Sequence, residues 1–156
     1  MIVEDSSTFW IGLDDTDERE YGCTTFDFND LLDTLSDSGC QINDARLVRL
    51  WPFAAQRTRG NAALAASVIF HDQTRLEEIL DNWFESKYST IESSNVQHSA
   101  QPTLLLTKGQ IAEEIYWDTV QGHVDLNARM SSLSTIEYRL WHSDAGCMGL
   151  IGSSAA

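Results

Sequence analysis

The sequence FWIGLDDTD at residues 9–17 decides the fold, because it joins an apolar strand to an acidic loop. Phe9–Leu13 is a short apolar run of the kind that forms a buried strand. The three carboxylates of Asp14, Asp15 and Asp17 then fall within four residues. Two carboxylates about 5 Å apart repel by roughly 3 kcal/mol at an effective dielectric constant of 20. A hard divalent cation such as Mg²⁺ removes this repulsion. The stretch therefore predicts a metal site, and the alternative is a solvated acidic turn capped by Asp14 or Asp17.

The residues after the acidic loop predict an amphipathic helix. Thr24 or Thr25 is suited to be its N-cap, and Gly39 is placed to end it. Four apolar side chains at i, i+3, i+4 and i+7 form its buried face. They belong to Phe28, Leu31, Leu32 and Leu35.

The rest of the chain alternates between strand and helix patterns. The full order is strand, helix, strand, strand, helix, strand, helix, strand, which favours an α+β layered sheet over a doubly wound one. The fold class predicted is therefore α+β, with a ferredoxin-like β-α-β-β-α-β core and additional C-terminal strands and a helix. The later elements are strands at 45–51, 62–70 and 103–107, helices around 76–85 and 109–119, and a strand within 133–142, whereas 124–132 is ambiguous.

The net charge of −14 is unevenly distributed along the chain. It argues against non-specific binding of nucleic acid, because neutralising phosphates requires lysine and arginine. Residues 45–60, however, carry Arg46, Arg49, Arg57 and Arg59 and no acidic residue. This basic island can bind a phosphate cluster locally, or its arginines can pair with neighbouring carboxylates, and the sequence leaves both open.

Hydrophobic runs, the N-terminal segment and the cysteines also indicate in which cell compartment the protein lies. No apolar run approaches the 18 or more residues of a membrane-spanning helix, and the N-terminus lacks a basic segment followed by an apolar core. Three widely separated cysteines form neither a zinc motif nor an evident disulfide framework. We therefore expect a cytoplasmic protein with no membrane partner.

Two glycine-containing motifs are candidates for phosphate contacts. In residues 57–61, Arg-Thr-Arg-Gly-Asn, a turn lets backbone N–H groups approach an anion while the arginines add fork-like donors. The alternative is an ordinary type I or II turn at Gly60-Asn61. Residues 149–152, Gly-Leu-Ile-Gly, resemble the entry to a helix that packs close to backbone or phosphate.

Taken together, five sequence blocks resemble the archaeal tRNA-isoleucine agmatidine synthetase (2-agmatinylcytidine synthetase) family in order and approximate spacing. The resemblance covers nearly the whole chain but only the N-terminal catalytic half of the family enzyme. It implies either one compact α+β unit, 1–156, or two interleaved subdomains: a kinase-like one, 1–60 with 103–156, and a ferredoxin-like one, 61–102. The five blocks are residues 12–17, 22–25, 46–50, 58–61 and 149–152.

The family enzyme uses ATP to phosphorylate the C2 oxygen of the wobble cytidine of a tRNA, and agmatine then displaces the phosphate. The resemblance implies that Asp14, Asp15 and Asp17 hold Mg²⁺ on the triphosphate, with Asp14, Asp15 and Thr24 in catalytic roles. Arg57 replaces a family lysine and keeps its charge. The residues implied to contact the nucleotide or its phosphates are Thr25, Arg57, Arg59, Gly60, Asn61, Gly149 and Gly152.

Three hypotheses for function follow. The first is a Mg²⁺- and ATP-dependent phosphoryl-transfer enzyme that acts on a tRNA cytidine, a nucleoside or a small acceptor. The second is a non-catalytic module that binds a nucleotide or a metal, and the third is an interaction domain with vestigial motifs. The expected partners are ATP, a tRNA or nucleoside substrate, and a partner chain or a second copy of this one.

Overall fold

The computed structural model describes residues 6–16, 22–54, 61–89, 100–144 and 146–156. Within these ranges, no helix is both long enough and apolar enough to cross a membrane. The elements in chain order are β1 (Ser7–Asp14), α1 (Thr24–Asp37), β2 (Gln41–Arg49), β3 (Ala62–Phe70), α2 (Gln73–Tyr88), β4 (Thr103–Thr107), α3 (Glu113–Gln121), α4 (Leu126–Ser132), β5 (Tyr138–His142) and α5 (Leu150–Ala155).

The strands form one five-stranded sheet in the order β2-β3-β1-β4-β5, in which every neighbouring pair is antiparallel. The first four strands and the helices α1 and α2 make the β-α-β-β-α-β core, so the predicted α+β fold class is confirmed. Strand β5 and helices α3 to α5 are the C-terminal additions. Because β1 and β3 pair over seven residues, the two proposed subdomains share this sheet, and the division between them stays a prediction.

Both faces of the sheet are covered by helices. On one face, Phe9, Ile11 and Leu13 of β1 pack with buried residues of α1 and α2. On the other face, Leu105 of β4 packs with buried residues of the C-terminal helices. Successive residues of a strand point to opposite faces, so β4 contributes to both cores and all five of its residues are buried.

Helix α5 crosses directly over β1 at Gly12. A Cβ atom on Gly12 would lie 2.1 Å from the carbonyl oxygen of Ser153, which is closer than any side chain can approach. Only glycine at this position lets the helix backbone rest on the central strand. This close approach brings α5 to the end of β1, where the acidic loop begins.

Cys40 is the cysteine most enclosed by the core. It is 5% exposed, and burial raises the pKa of its thiol to about 11. Its thiolate population at pH 8 is therefore roughly 100-fold lower than that of a thiol with the ordinary pKa of 9.0. We expect a disulfide reagent to modify half-buried Cys23 and Cys147 quickly in the native protein and Cys40 only after denaturation. Quantifying released chromophore checks this expectation, and three equally fast thiols in the native protein would contradict it.

Candidate functional site

The predicted site residues that the structure describes lie at one end of the sheet, where the strands meet their loops. Strand β1 ends at Asp14, which pairs with Thr103 at the start of β4, and Thr103 pairs with His142 at the end of β5. Strand β3 begins at the same end of the sheet with Ala62, directly after Asn61. Loops that are distant in sequence therefore lie next to one another at this end of the sheet.

Asp14 and the two glycines of the 149–152 motif are in close contact. A Cβ atom on Gly152 would lie 1.7 Å from Asp14 Oδ2, and one on Gly149 would lie 2.8 Å from the Asp14 carbonyl oxygen. Both glycines are thus required for the start of α5 to pack against this aspartate. The structure brings Asp14, Gly149 and Gly152 together, as expected if these motifs form one site.

Asp15 has a left-handed backbone conformation, with φ of 59°. Its Oδ2 atom accepts a hydrogen bond from the backbone N–H of Gln101 at 3.1 Å. The side chain of Gln101 in turn accepts a hydrogen bond from the backbone N–H of Met148 at 3.0 Å. Gln101 therefore connects the acidic loop to the turn that leads into α5, a role that its place in a polar stretch of the sequence did not indicate.

Thr24 is the first residue of α1 rather than its N-cap. Cys23 occupies the N-cap position and makes no side-chain cap hydrogen bond, so the predicted cap at Thr24 or Thr25 is wrong. The Thr16 hydroxyl donates to the Thr24 hydroxyl at 2.9 Å, which connects Thr24 to the acidic loop. Thr24 is buried and Thr25 is exposed.

The first turn of α1 is fixed by the end of α2. The Tyr88 hydroxyl donates to Asp27 Oδ2 at 2.8 Å. Burial, followed by the charge of Asp27, raises the pKa of Tyr88 well above its ordinary value, so this hydroxyl stays protonated. The protonated donor therefore holds the helix that carries Thr24 and Thr25 in place against the core.

Asn61 has a left-handed backbone, with φ of 43°, and it makes a turn at the start of β3. Its side-chain N–H donates to the carbonyl oxygen of Trp51 at 2.6 Å, and its own carbonyl oxygen accepts from the Leu50 N–H at 2.8 Å. These contacts support the turn, and the predicted nucleotide contact of Asn61 stays a prediction. The other predicted residues of this motif, Arg57, Arg59 and Gly60, and the predicted metal ligand Asp17, lie outside the described residues.

Two carboxylates remain as candidate metal ligands. Among the residues that the structure describes, no three or more His, Cys, Asp or Glu side chains are grouped closely enough to hold a metal ion. Asp14 and Asp15 together still suit Mg²⁺, which proteins bind through one or two carboxylates while water and substrate phosphates complete the coordination.

The basic island is described only in part. Arg46 and Arg49 lie on β2, the edge strand of the sheet. The guanidinium of Arg46 stacks over the Trp10 ring at 5.1 Å and makes no ion pair with any described residue. For Arg46, the interpretation that it simply pairs with a carboxylate is therefore not supported by the described part of the chain.

The family model for the TiaS TCKD domain matches residues 10–144, which include β1 from its fourth residue onward, the acidic loop and all later elements up to β5. The chain belongs to the TiaS TCKD domain family. The resemblance drawn from the five sequence blocks is thereby confirmed.

Curated relatives of the TiaS TCKD chain are full-length enzymes named tRNA(Ile2) 2-agmatinylcytidine synthetase TiaS. The protein from Caldivirga maquilingensis is 29% identical over 150 residues, covering 94% of this chain and 35% of the relative. The protein from Ignisphaera aggregans is 33% identical over 123 residues, covering 73% of this chain and 26% of the relative. The chain thus spans about a third or less of the length of these relatives.

Solved TiaS structures have the same fold. The TiaS–tRNA(Ile2)–ATP complex superposes with a TM-score of 0.78 at 20% identity, over 96% of this chain and 35% of that one. The TiaS–tRNA(Ile2)–AMPCPP–agmatine complex gives a TM-score of 0.75 at 19% identity, again over 96% and 35%. At this identity the likeness establishes the fold of the TCKD chain.

Arg129 is a second residue of this TiaS TCKD chain that the sequence did not single out. Its side chain is 2% exposed and is packed against α5. One terminal nitrogen donates to the Ile151 carbonyl oxygen at 2.7 Å and to Ser154 Oγ at 2.8 Å. The other donates to the Ile115 carbonyl oxygen at 3.2 Å and to Thr119 Oγ1 at 2.6 Å. Arg129, on α4, therefore ties α3 and α5 together and fixes the helix that carries Gly152.

Proposed function

We propose that this chain is the Mg²⁺- and ATP-dependent phosphoryl-transfer part of a TiaS-type enzyme that acts on a tRNA cytidine. The observation that carries the proposal is the packing of the α5 glycines against Asp14 at the end of the central strand. A Cβ atom on either Gly149 or Gly152 would collide with Asp14. Glycine at these two positions lets the backbone of α5 approach Asp14 closely, which places the 149–152 motif and the acidic loop side by side.

Asp14 and Asp15 would hold Mg²⁺, with Asp17 as the predicted third ligand. The ion would neutralise charge on the triphosphate and orient the transferred phosphoryl group. The hydrogen bond from the Gln101 N–H at 3.1 Å fixes the position of the Asp15 carboxylate beside Asp14.

The first turn of α1 would face the phosphates. Helix N-termini favour anions because their first N–H groups point outward and the helix dipole is positive there. The N-cap Cys23 gives these N–H groups no side-chain acceptor. Thr24, whose hydroxyl accepts from Thr16, would orient the phosphoryl group, and Thr25 would contact the nucleotide beside it.

The substrates are proposed from the relatives, whose solved complexes contain tRNA(Ile2), ATP or AMPCPP, and agmatine. With a net charge of −14, this chain requires local cations to contact a phosphate backbone. Arg46 and Arg49 on the edge strand β2, with the predicted Arg57 and Arg59, are the candidates for that contact.

Calorimetric titration of ATP with and without Mg²⁺ tests the proposal. We expect Mg²⁺-dependent binding that weakens by about tenfold or more in Asp15→Asn, because even indirect supports of a metal site contribute that much to affinity. Asp37→Asn removes an exposed carboxylate at the end of α1 and is the matched control. An ATP affinity that does not depend on Mg²⁺, or that decreases equally in both variants, would overturn the assignment of Asp15.

Turnover distinguishes the proposed enzyme from the alternative, a non-catalytic nucleotide-binding module. Release of ADP or AMP in the presence of tRNA would support the enzyme. Mg²⁺-dependent binding of ATP without any turnover would favour the alternative for this chain.

A further inference from the structure

Strand β2 forms one edge of the sheet, and among the described residues it pairs only with β3. Seven of its nine residues are exposed, including Leu47 at 47%. The opposite edge strand, β5, has only five residues, and its Arg139 already pairs with Glu77. A long edge strand presents backbone N–H and C=O groups to any strand that can align with it. The edge of β2 is therefore a surface at which a further strand can join the sheet.

The edge strand carries one acid and one base on the same face. Asp44 and Arg46 are two residues apart and lie opposite Ser67 and Ala65 of β3, so both side chains point to the same side of the sheet. The guanidinium of Arg46 lies over the Trp10 ring at 5.1 Å. Neither Asp44 nor Arg46 forms an ion pair with any residue in the described part of the chain.

This charge pattern is complementary to itself about Ala45. When two copies of one strand pair antiparallel about a twofold axis normal to the sheet, one residue faces its own copy across the axis. With Ala45 on the axis, Asp44 of each copy lies directly opposite Arg46 of the other. Two attractive cross-strand pairs then form on the same face. Ala45 is small and exposed, so its own chain leaves room for the axis.

Other registers of the same pairing lack this match. An axis at Asp44 places two aspartates opposite each other, and an axis at Arg46 places two arginines opposite each other, which is destabilising. An axis at Leu47 sets Arg46 opposite Val48, so neither charge gains a partner. Closer to the start of β2, a bulge between Ile42 and Asp44 interrupts the regular ladder. The charges therefore select the register centred on Ala45.

We propose that two copies of this chain associate through β2, in an antiparallel pair centred on Ala45 that joins their sheets into one. Because both copies use the same edge, the contact closes at a dimer and does not propagate into a fibre. The bulge shortens the regular ladder, so the dimer is expected to be weak and to depend on protein concentration. This inference does not depend on the proposed nucleotide site, and its test reads the oligomeric state instead of ATP binding.

Sedimentation velocity over a series of protein concentrations tests the proposal. Physiological salt screens the long-range repulsion between two copies of net charge −14. We expect the wild type to approach twice the monomer mass as the concentration rises. Asp44→Arg and Arg46→Asp should each weaken the dimer about tenfold or more, because two attractive pairs become repulsive. Glu114→Arg makes the same charge change as Asp44→Arg at an exposed position on α3 and should leave the dimer unchanged.

Mixing the two β2 variants separates the effect of charge from misfolding. In an equimolar mixture, the basic pair of Asp44→Arg faces the acidic pair of Arg46→Asp, so a heterodimer should form although neither variant dimerises alone. A misfolded variant could not restore association in this way. A wild type that stays monomeric at all concentrations would overturn the dimer. A dimer that persists in both variants, or a mixture that stays monomeric, would overturn the Ala45 register.

Discussion

Replacing the buried Arg129 by methionine is expected to lower the free energy of unfolding by about 3–5 kcal/mol, because hydrogen bonds from a charged donor contribute roughly 1.5–3 kcal/mol each and loss of the desolvated charge offsets part of their loss. The guanidinium donates to two backbone carbonyl oxygens and two hydroxyls on α3 and α5. Burial lowers the pKa of Arg129, but an arginine remains charged at any physiological pH, so its donors must all stay satisfied. Methionine fills much of the volume but cannot donate, so four hydrogen bonds from a charged group to α3 and α5 are lost.

Urea denaturation followed by tryptophan fluorescence checks this expectation. Arg75→Met is the matched control, because Arg75 is exposed and its side chain forms a surface ion pair with Glu78 at 3.2 Å. The control is expected to change stability by less than about 1 kcal/mol. If Arg129→Met were as stable as the control, the hydrogen bonds that join the C-terminal helices would contribute little, and α5 would need another support.

Gly152→Ala is expected to have the largest effect on activity. The new methyl group would lie 1.7 Å from Asp14 Oδ2, so either the carboxylate or helix α5 must move. A displacement of about 1 Å in a phosphoryl-transfer site is expected to reduce turnover by about 100-fold. The crowding should also lower the free energy of unfolding by about 1–3 kcal/mol.

Steady-state turnover of ATP, together with thermal unfolding, separates these two effects of Gly152→Ala. Gly122→Ala is the control, because a Cβ atom there meets nothing within 4 Å. We expect the control to retain both activity and stability. Turnover that survives in Gly152→Ala while stability falls would place the nucleotide away from Asp14, and the proposed site would have to be revised.

Periodicity predicted most of the fold because the main elements are long and amphipathic. The α2 pattern, with Leu76, Leu80 and Trp83 on one face, follows directly from burial against the sheet. The pattern did not reveal α4, whose seven residues make fewer than two full turns and include only a few apolar side chains. Its N-cap Asp125, which accepts from the Ala128 N–H at 3.1 Å, was the one local signal available.

The candidate site could be predicted only as far as its motifs extend. The acidic loop and the 149–152 glycines stand out in sequence because few folds require such residues so close together. Gln101 and Arg129 do not, because their roles arise from tertiary contacts. Gln101 is 86 residues away from Asp15 in the chain, and no local sequence pattern predicts a hydrogen bond between residues so far apart.

The left-handed backbone of Asp15 affects which substitutions at this position can stabilise the protein. At φ of 59°, an aspartate is held in a conformation that glycine adopts without steric cost, at a penalty of order 1 kcal/mol. Glycine at this position would relieve that penalty. If Asp15 holds the metal as proposed, that same glycine would remove a ligand, so activity and durability are in conflict at position 15. Engineering for shelf life should therefore leave position 15 untouched.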